Sequence, residues 1–208
     1  MVGFDFAFSV PQWYLRERGI AGPRQLWAVM GREADTLMKQ PQAPFWGSTG
    51  KAVANLQADQ EFRRTDLEMP SISGIRPKSV FQLFGNGIVG PASLRGMPIL
   101  GRLSEAGFSI WPFDAARQPA VVEIYPRVLT GSVRKMEPGA RAEHLLRHPE
   151  IDASFARLAA SDDSAFDAAV SAVVMARHAT ELAALEAEPR YALEGRIWRP
   201  EPGLDSSI

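Results

Sequence analysis

The stretch that decides the fold is Val121-Val-Glu-Ile-Tyr-Pro126. It is a short apolar run closed by a proline, which predicts a buried β-strand over Val121–Tyr125. Segments with helical periodicity lie on both sides of it, and strands that alternate with helices predict an α/β fold. Glu123 is the single acid in this run, so the stretch also indicates where a functional group could lie.

The same reasoning extends outward from this strand. Two further strands are predicted, Val2–Ser9 and Phe108–Trp111, and Ile197 with Trp198 is expected to dock on the core. Apolar spacing predicts helices at Trp13–Arg18, Gln25–Met38, Ala52–Phe62, Pro91–Ala106, Arg127–Lys135, Ala140–His148, Ile151–Ala160 and Asp163–Leu185. We therefore expect one domain over residues 1–200, followed by a loose tail over 201–208.

Composition narrows the function classes. The chain has no cysteine, which excludes disulfides, zinc–thiolate sites and a cysteine nucleophile. The formal net charge of −1 does not indicate a nucleic-acid binder, although 19 of the 23 basic residues are Arg. No signal peptide or membrane-length apolar run is visible, so a cytoplasmic location and no membrane partner are expected.

Two local motifs are better explained by ordinary local structure than by ligand binding. Gly85-Asn-Gly-Ile-Val-Gly90 matches the dinucleotide-binding pattern by letter, but Pro91 follows at once and no suitable acid follows a next strand. We therefore expect a turning loop rather than a Rossmann turn. His144 and His148 share a helix face that looks polar, which predicts solvent-facing side chains rather than a zinc site.

Three acids stand in otherwise apolar elements: Asp5, Glu123 and Asp167. An unpaired buried carboxylate costs several kcal/mol, so such residues need a partner, a metal or access to water. Asp163 precedes Asp167 by four residues and shares its helix face. Carboxylates collected in this way are typical ligands of Mg²⁺ or Mn²⁺ in two-metal nucleases. We therefore predict that Asp5, Glu123 and Asp167 converge, with Asp163 nearby.

Each acid also has an ordinary explanation. Asp163 or Asp162 could cap its helix, and Asp5 could bond to turn amides near Pro11. Glu123 could form a surface ion pair with Arg127. Three similar anomalies together favour a site.

These residues belong to segments that resemble the domain of unknown function 429 family, described as predicted nucleases of ribonuclease-H-like fold. The resemblance covers the chain from residue 3 to about residue 200 and is carried by Gly3–Pro11, Pro77–Leu100, Ala106–Asp114, Val121–Gly131 and Asp162–His178. It implies a mixed sheet flanked by helices and a metal-dependent nuclease or phosphodiesterase.

The resemblance also assigns roles to residues. Asp5, Glu123 and Asp167 match the family's catalytic, metal-holding acids, and Asp163 is a looser match. Mg²⁺ or Mn²⁺ is the implied cofactor and nucleic acid the implied partner. Lys78 and Arg95, which flank the glycine loop, become candidate phosphate contacts.

The chain departs from the family at its start. Ribonuclease-H-like folds begin with a hairpin that carries the leading acid, and in this family that hairpin precedes the strand at Val2. We therefore expect a sheet that lacks its first hairpin, an exposed apolar face beside Phe4, Phe6 and Phe8, and self-association. Because the leading acid is absent, weak metal binding is also expected, and the enzyme could be inactive. The alternative to an enzyme is a non-catalytic protein of the same fold that binds nucleic acid or a protein partner.

Overall fold

A computed structural model describes residues 1–47 and 56–201, and four short parallel strands lie at the centre of this part of the chain. The strands are β1 (Val2–Phe4), β2 (Ser109–Ile110), β3 (Ala120–Ile124) and β4 (Ile197–Trp198). One edge of β3 pairs with β1, and the other pairs with β2 at its start and with β4 at its end. The α/β prediction is confirmed and the docking of Ile197 and Trp198 takes the form of a strand.

Helices cover both faces of this sheet. The α-helices of the described residues are α1 (Gln12–Glu17), α2 (Pro23–Lys39), α3 (Ala58–Glu61), α4 (Arg64–Glu68), α5 (Gly90–Glu105), α6 (Pro126–Thr130), α7 (Pro138–Leu145), α8 (Ala153–Ser161), α9 (Asp163–Arg177) and α10 (Ala179–Ala183). Val121 packs with α2 and α5, whereas Val122 packs with α6 to α9 on the opposite face. Because both faces are covered, every residue of β3 is buried, which explains its continuous apolar run.

The expectation of a mixed sheet is wrong for the described residues, since every pairing in this sheet is parallel. Parallel neighbours need crossover connections: α1 to α5 lie between β1 and β2, and α6 to α10 lie between β3 and β4, whereas residues 111–119 join β2 to β3 without a helix. The coarse class predicted from the sequence is right, but the predicted strand directions are not.

The first strand is shorter than the predicted Val2–Ser9. It ends at Phe4, because the next backbone groups bond to side chains instead of to a strand. The Ala7 N–H donates to Ser93 Oγ at 2.9 Å, and the Phe8 N–H donates to Glu123 Oε2 at 3.0 Å. Phe8 is fully buried and Phe4 and Phe6 are partly buried against the same core, so the predicted exposed face beside these rings is also wrong.

The glycine loop turns the chain into α5, as predicted. Gly85 and Gly87 have φ angles of 122° and 62°, a region that favours glycine. A Cβ on Gly90 would lie 2.3 Å from the Gln82 carbonyl oxygen, so the chain can approach itself there only without a side chain. The residues before the loop form an isolated bridge, Trp46 with Gln82, and no strand of this sheet.

Several helix ends differ from prediction. The predicted Asp163–Leu185 helix breaks at His178, whose ψ of 23° leaves the helical range, and α10 follows as a separate segment. Helix α6 stops at Thr130, because Gly131 has a φ of 71°. Residues 52–55 of the predicted Ala52–Phe62 helix and residues 202–208 of the predicted tail lie outside the described residues. Among the described helices, none combines the length and the apolar character needed to cross a membrane.

Candidate functional site

A cavity of about 310 Å³ opens at the carboxyl ends of β1 and β3. Asp5 directly follows β1 and Tyr125 directly follows β3, and the two strands are parallel with Phe4 opposite Glu123. Helix α9 packs against α6 and brings Asp167 to the same place. Ligands of open parallel sheets commonly bind at this edge, so the fold itself marks the cavity as the candidate site.

Asp5 lies in the cavity with one side open to solvent. Burial of the rest of the carboxyl group and the nearby charge of Asp167 raise its pKa to about 6. Within the described part of the chain, no hydrogen-bond donor pairs with its oxygens, so the predicted bonds to turn amides near Pro11 are not made. Asp5 is thus an acid whose charge the protein leaves largely uncompensated.

Asp167 is buried on α9, and one of its oxygens is unpaired. The Lys135 ammonium group contacts Oδ2, whereas Oδ1 is buried without a hydrogen-bond partner among the described residues. Burial raises the pKa of Asp167, and Lys135 opposes that rise. A buried carboxylate oxygen without a partner is costly, so this atom is suited to a ligand that supplies positive charge.

Glu123 lies in the cavity wall, but its charge is compensated. Arg63 donates Nη2–H to Oε1 at 2.6 Å and Nη1–H to Oε2 at 2.8 Å, and Asp66 binds the same guanidinium at 2.8 Å. All three side chains are buried, with at most 4% of their area exposed. Burial raises the pKa of Glu123, and Arg63 opposes that rise. The partner of Glu123 is therefore the buried Arg63 and not Arg127, as the surface ion pair would require.

Asp163 is the first residue of α9 and does not line the cavity. The N-cap is Asp162, whose side chain accepts a hydrogen bond from the Ala165 N–H at 2.8 Å. Asp163 contributes at a distance, since its charge adds to the raised pKa of Asp167. The structure therefore brings Asp5, Glu123 and Asp167 together and leaves Asp163 outside.

The cavity also has a basic side. Lys78 lines it, as does Arg76, whereas Arg95 is exposed on α5 outside the lining. Arg127 contributes a guanidinium that donates to the Val133 carbonyl oxygen at 2.8 Å, while its buried Nε–H has no partner among the described residues. Tyr125 stands beside these groups, and burial raises its pKa, an effect that Arg127 opposes.

Sequence reasoning missed Arg63, Lys135, Arg76 and Tyr125. Arg63 reaches Glu123 across 60 residues of chain and Lys135 reaches Asp167 across 32, so no local pattern could reveal either pair. The one available signal was the excess of Arg, since Arg is the cation best suited to a buried, bidentate ion pair.

The prediction that His144 and His148 face solvent is wrong. Both are buried, at 6% and 7% exposure, and their Nε2 atoms lie 3.2 Å apart. The ring of His144 packs edge-on against Phe166 of α9. Burial lowers the pKa of both histidines. The charge of His148 lowers the pKa of His144 further, and the charge of Arg177 lowers the pKa of His148 further. The two rings therefore lie inside the protein rather than facing water, with His144 of α7 against α9.

The residues fit a divalent cation in part. Asp5 and Asp167 supply oxygen ligands, one of them a buried oxygen without a partner, and Mg²⁺ commonly takes one or two carboxylates with water and substrate phosphate as the remaining ligands. In the described part of the chain, no cluster of three or more His or acidic side chains is arranged to hold a metal. Glu123, bonded to Arg63, would have to release that partner to join such a set.

No model of a known protein family matches this chain, and comparisons with curated proteins and with solved structures find no significant match either. The resemblance to the domain of unknown function 429 family therefore stays a prediction from sequence. The geometry of the cavity is the evidence for a function of this chain.

Proposed function

We propose that this protein is a metal-dependent phosphodiesterase of ribonuclease-H-like class whose Mg²⁺ or Mn²⁺ would be held by Asp5 and Asp167. The observation that carries the proposal is the poorly compensated acid pair at the carboxyl end of a parallel sheet. Asp5 has its pKa raised to about 6 with Asp167 as one cause, and Asp167 Oδ1 is buried without a partner. Such perturbed groups in a cleft are typical of functional sites.

In this proposal the chain's own groups divide into two sets. A bound divalent cation would offset the two acids and polarise a phosphoryl oxygen. Lys78, Arg76 and Arg127 line the same cavity and would bind phosphate oxygens. Glu123 acts as a positioning residue, because its Oε2 holds the Phe8 N–H and so fixes the turn that follows Asp5.

Hydrolysis of bis(p-nitrophenyl) phosphate in the presence of Mn²⁺ tests the proposal. Asp167→Asn and Asp5→Asn keep side-chain size and remove charge, so each is expected to lower turnover by about 100-fold or more while the protein stays folded. Asp162→Asn is the matched control on α9, since Asn caps a helix as well as Asp does. Turnover that is equal in all four proteins would refute the proposal.

One observation favours a second candidate, a non-catalytic protein of the same class that binds nucleic acid or another anionic partner. The Lys135 ammonium group already contacts Asp167 and could stand permanently where a metal would bind. This candidate predicts no turnover, together with ligand binding that is indifferent to Mn²⁺. Lys135→Gln separates the two, because it should raise Mn²⁺ affinity only where Asp167 belongs to a metal site.

A further inference from the structure

Two loops that present apolar side chains line the cavity. Ile72 and Ile75 form a two-way backbone bridge at 3.0 Å, and Ser73 and Gly74 between them have positive φ angles of 52° and 77°. This tight turn leaves 46% of Ile75 exposed at the cavity. The glycine loop brings Ile88 to the same cavity.

The apolar lining continues inward. Beyond the two loops, the cavity walls contain Phe6, Pro77, Val89, Ile124, Pro126 and Ile197. An exposed Ile such as Ile75 loses unfavourable contact with water when a ligand covers it. The cavity therefore has a site for an uncharged, apolar or flat portion of a ligand, in addition to its charged floor.

The cations that line the cavity differ in whether an acid compensates them. Arg63 is compensated by Glu123 and Asp66, and Lys135 by Asp167. Arg76 and Lys78 have no acidic partner in the described part of the chain, and both belong to the loop that carries Ile75. An anionic group bound in the cavity would thus meet free cations next to the apolar wall.

The volume of the cavity favours a small phosphorylated molecule over a nucleic-acid duplex. A cavity of about 310 Å³ is near the lower end of the roughly 300–1,000 Å³ typical of small-molecule sites. A duplex would instead need a basic surface that follows its phosphates, and the chain has a net charge of only −1.

We infer that the cavity takes a phosphorylated small molecule about the size of one nucleotide, with its phosphate toward Arg76 and Lys78 and its base or other apolar portion against Ile75 and Ile88. The inference rests on the proposed function for the location of the site, but it concerns binding and does not require turnover. Ile75 and Arg76 become specificity-determining residues.

Calorimetric titration with thymidine 5′-monophosphate tests this, first in EDTA and then with Mn²⁺. Arg76→Gln and Ile75→Ser are each expected to weaken binding by about tenfold, through loss of a charge-assisted hydrogen bond and of apolar contact, respectively. The matched controls are Arg95→Gln and Ile99→Ser, which alter exposed residues of α5 outside the cavity and should bind like the unaltered protein.

Inorganic phosphate and a 12-base-pair duplex complete the set of probes. We expect both to bind more weakly than the nucleotide. A duplex that binds more tightly, phosphate that binds equally well, or no nucleotide binding at millimolar concentration would overturn the inference, whatever the result with bis(p-nitrophenyl) phosphate. Nucleotide binding without turnover would support the inference and refute the proposed function, so the two failures are distinguishable.

Discussion

Asp5 and Glu123 line the same cavity, but their charges are balanced differently. Burial and the charge of Asp167 raise the pKa of Asp5 to about 6, and among the described residues no hydrogen-bond donor pairs with its oxygens. Glu123 accepts hydrogen bonds from Arg63 and from the Phe8 N–H. Asp5 is therefore the less compensated of the two acids.

The raised pKa of Asp5 has a consequence for stability in metal-free solution. A carboxyl group with a folded pKa of about 6 and an ordinary unfolded value stabilises the fold at low pH. That contribution is lost as the pH rises through about 6, where the acid must ionise beside Asp167. We expect Asp5→Asn to unfold at higher urea concentration than the unaltered protein at pH 8 but not at pH 4. Solvent screening limits the difference to about 1 kcal/mol.

Urea titration in EDTA at the two pH values measures this. Asp163→Asn is the comparison, because Asp163 lies near Asp167 but outside the cavity lining. A shift for Asp5→Asn that is the same at pH 4 and pH 8 would show that Asp5 ionises normally in the folded protein.

At the scale of elements, the prediction succeeded where periodicity was strong and failed where side chains captured backbone groups. Helices α2 and α5 lie within two residues of their predicted ends. The strand Val2–Ser9 was predicted too long, because the composition of residues 5–9 could not reveal that Ser93 and Glu123 take their N–H groups. His144 of α7 and His148, which follows α7, look surface-exposed by sequence but are buried, and the ring of His144 packs against Phe166 of α9. The sequence likewise identified Asp5 and Glu123 as acids that need an explanation, whereas only the fold shows that Arg63 compensates Glu123.

The buried histidine pair should make the packing of α7 on α9 sensitive to acid. Burial lowers the pKa of His144 and His148, and Arg147 and Arg177 disfavour further positive charge, while Glu150 opposes the lowering at His148. The neutral pair stabilises the fold above the ordinary histidine pKa of about 6.5, and that contribution is lost as the pH falls through the lowered folded values.

The histidine contribution to the free energy of unfolding therefore falls between pH 7 and pH 5, opposite in sign to that of Asp5, and we expect His148→Gln to lose less stability over this range than the unaltered protein because Gln takes up no proton. Urea titration of both proteins at the two pH values measures it. A fall of the same size in both proteins would mean that His148 does not carry the acid sensitivity.

At the scale of the whole molecule, one buried cation connects distant parts of the chain. Arg63 precedes α4, Glu123 lies in β3, and the Glu194 carbonyl oxygen, 3.2 Å from Arg63 Nη1, belongs to the segment before β4. Nearby, the Ile197 N–H donates to Thr65 Oγ1 at 2.8 Å. These contacts hold β4 in place, and Arg63, Glu123 and Ile197 form part of the cavity wall.

Replacing Arg63 by Met should therefore affect the entire fold. The change leaves Glu123 and Asp66 buried without their cation, and removal of one partner from a buried ion pair costs about 3–5 kcal/mol. Arg64→Met is the matched control, since Arg64 is the exposed neighbour. Thermal unfolding is expected to show a large loss for Arg63→Met and little change for Arg64→Met, and equal losses would contradict this account of the cluster.

Calorimetric titration with Mn²⁺ at pH 7.5 measures whether Asp5 and Asp167 together bind a divalent cation. This pH lies above the pKa of about 6 of Asp5, and the carboxylate oxygens of Asp5 and Asp167 are ligands that suit Mn²⁺. We predict measurable binding to the unaltered protein, a loss of about tenfold or more in Asp5→Asn and in Asp167→Asn, and no change in Asp162→Asn. Mn²⁺ affinity that is the same in all four proteins, or undetectable in the unaltered protein, would contradict the account.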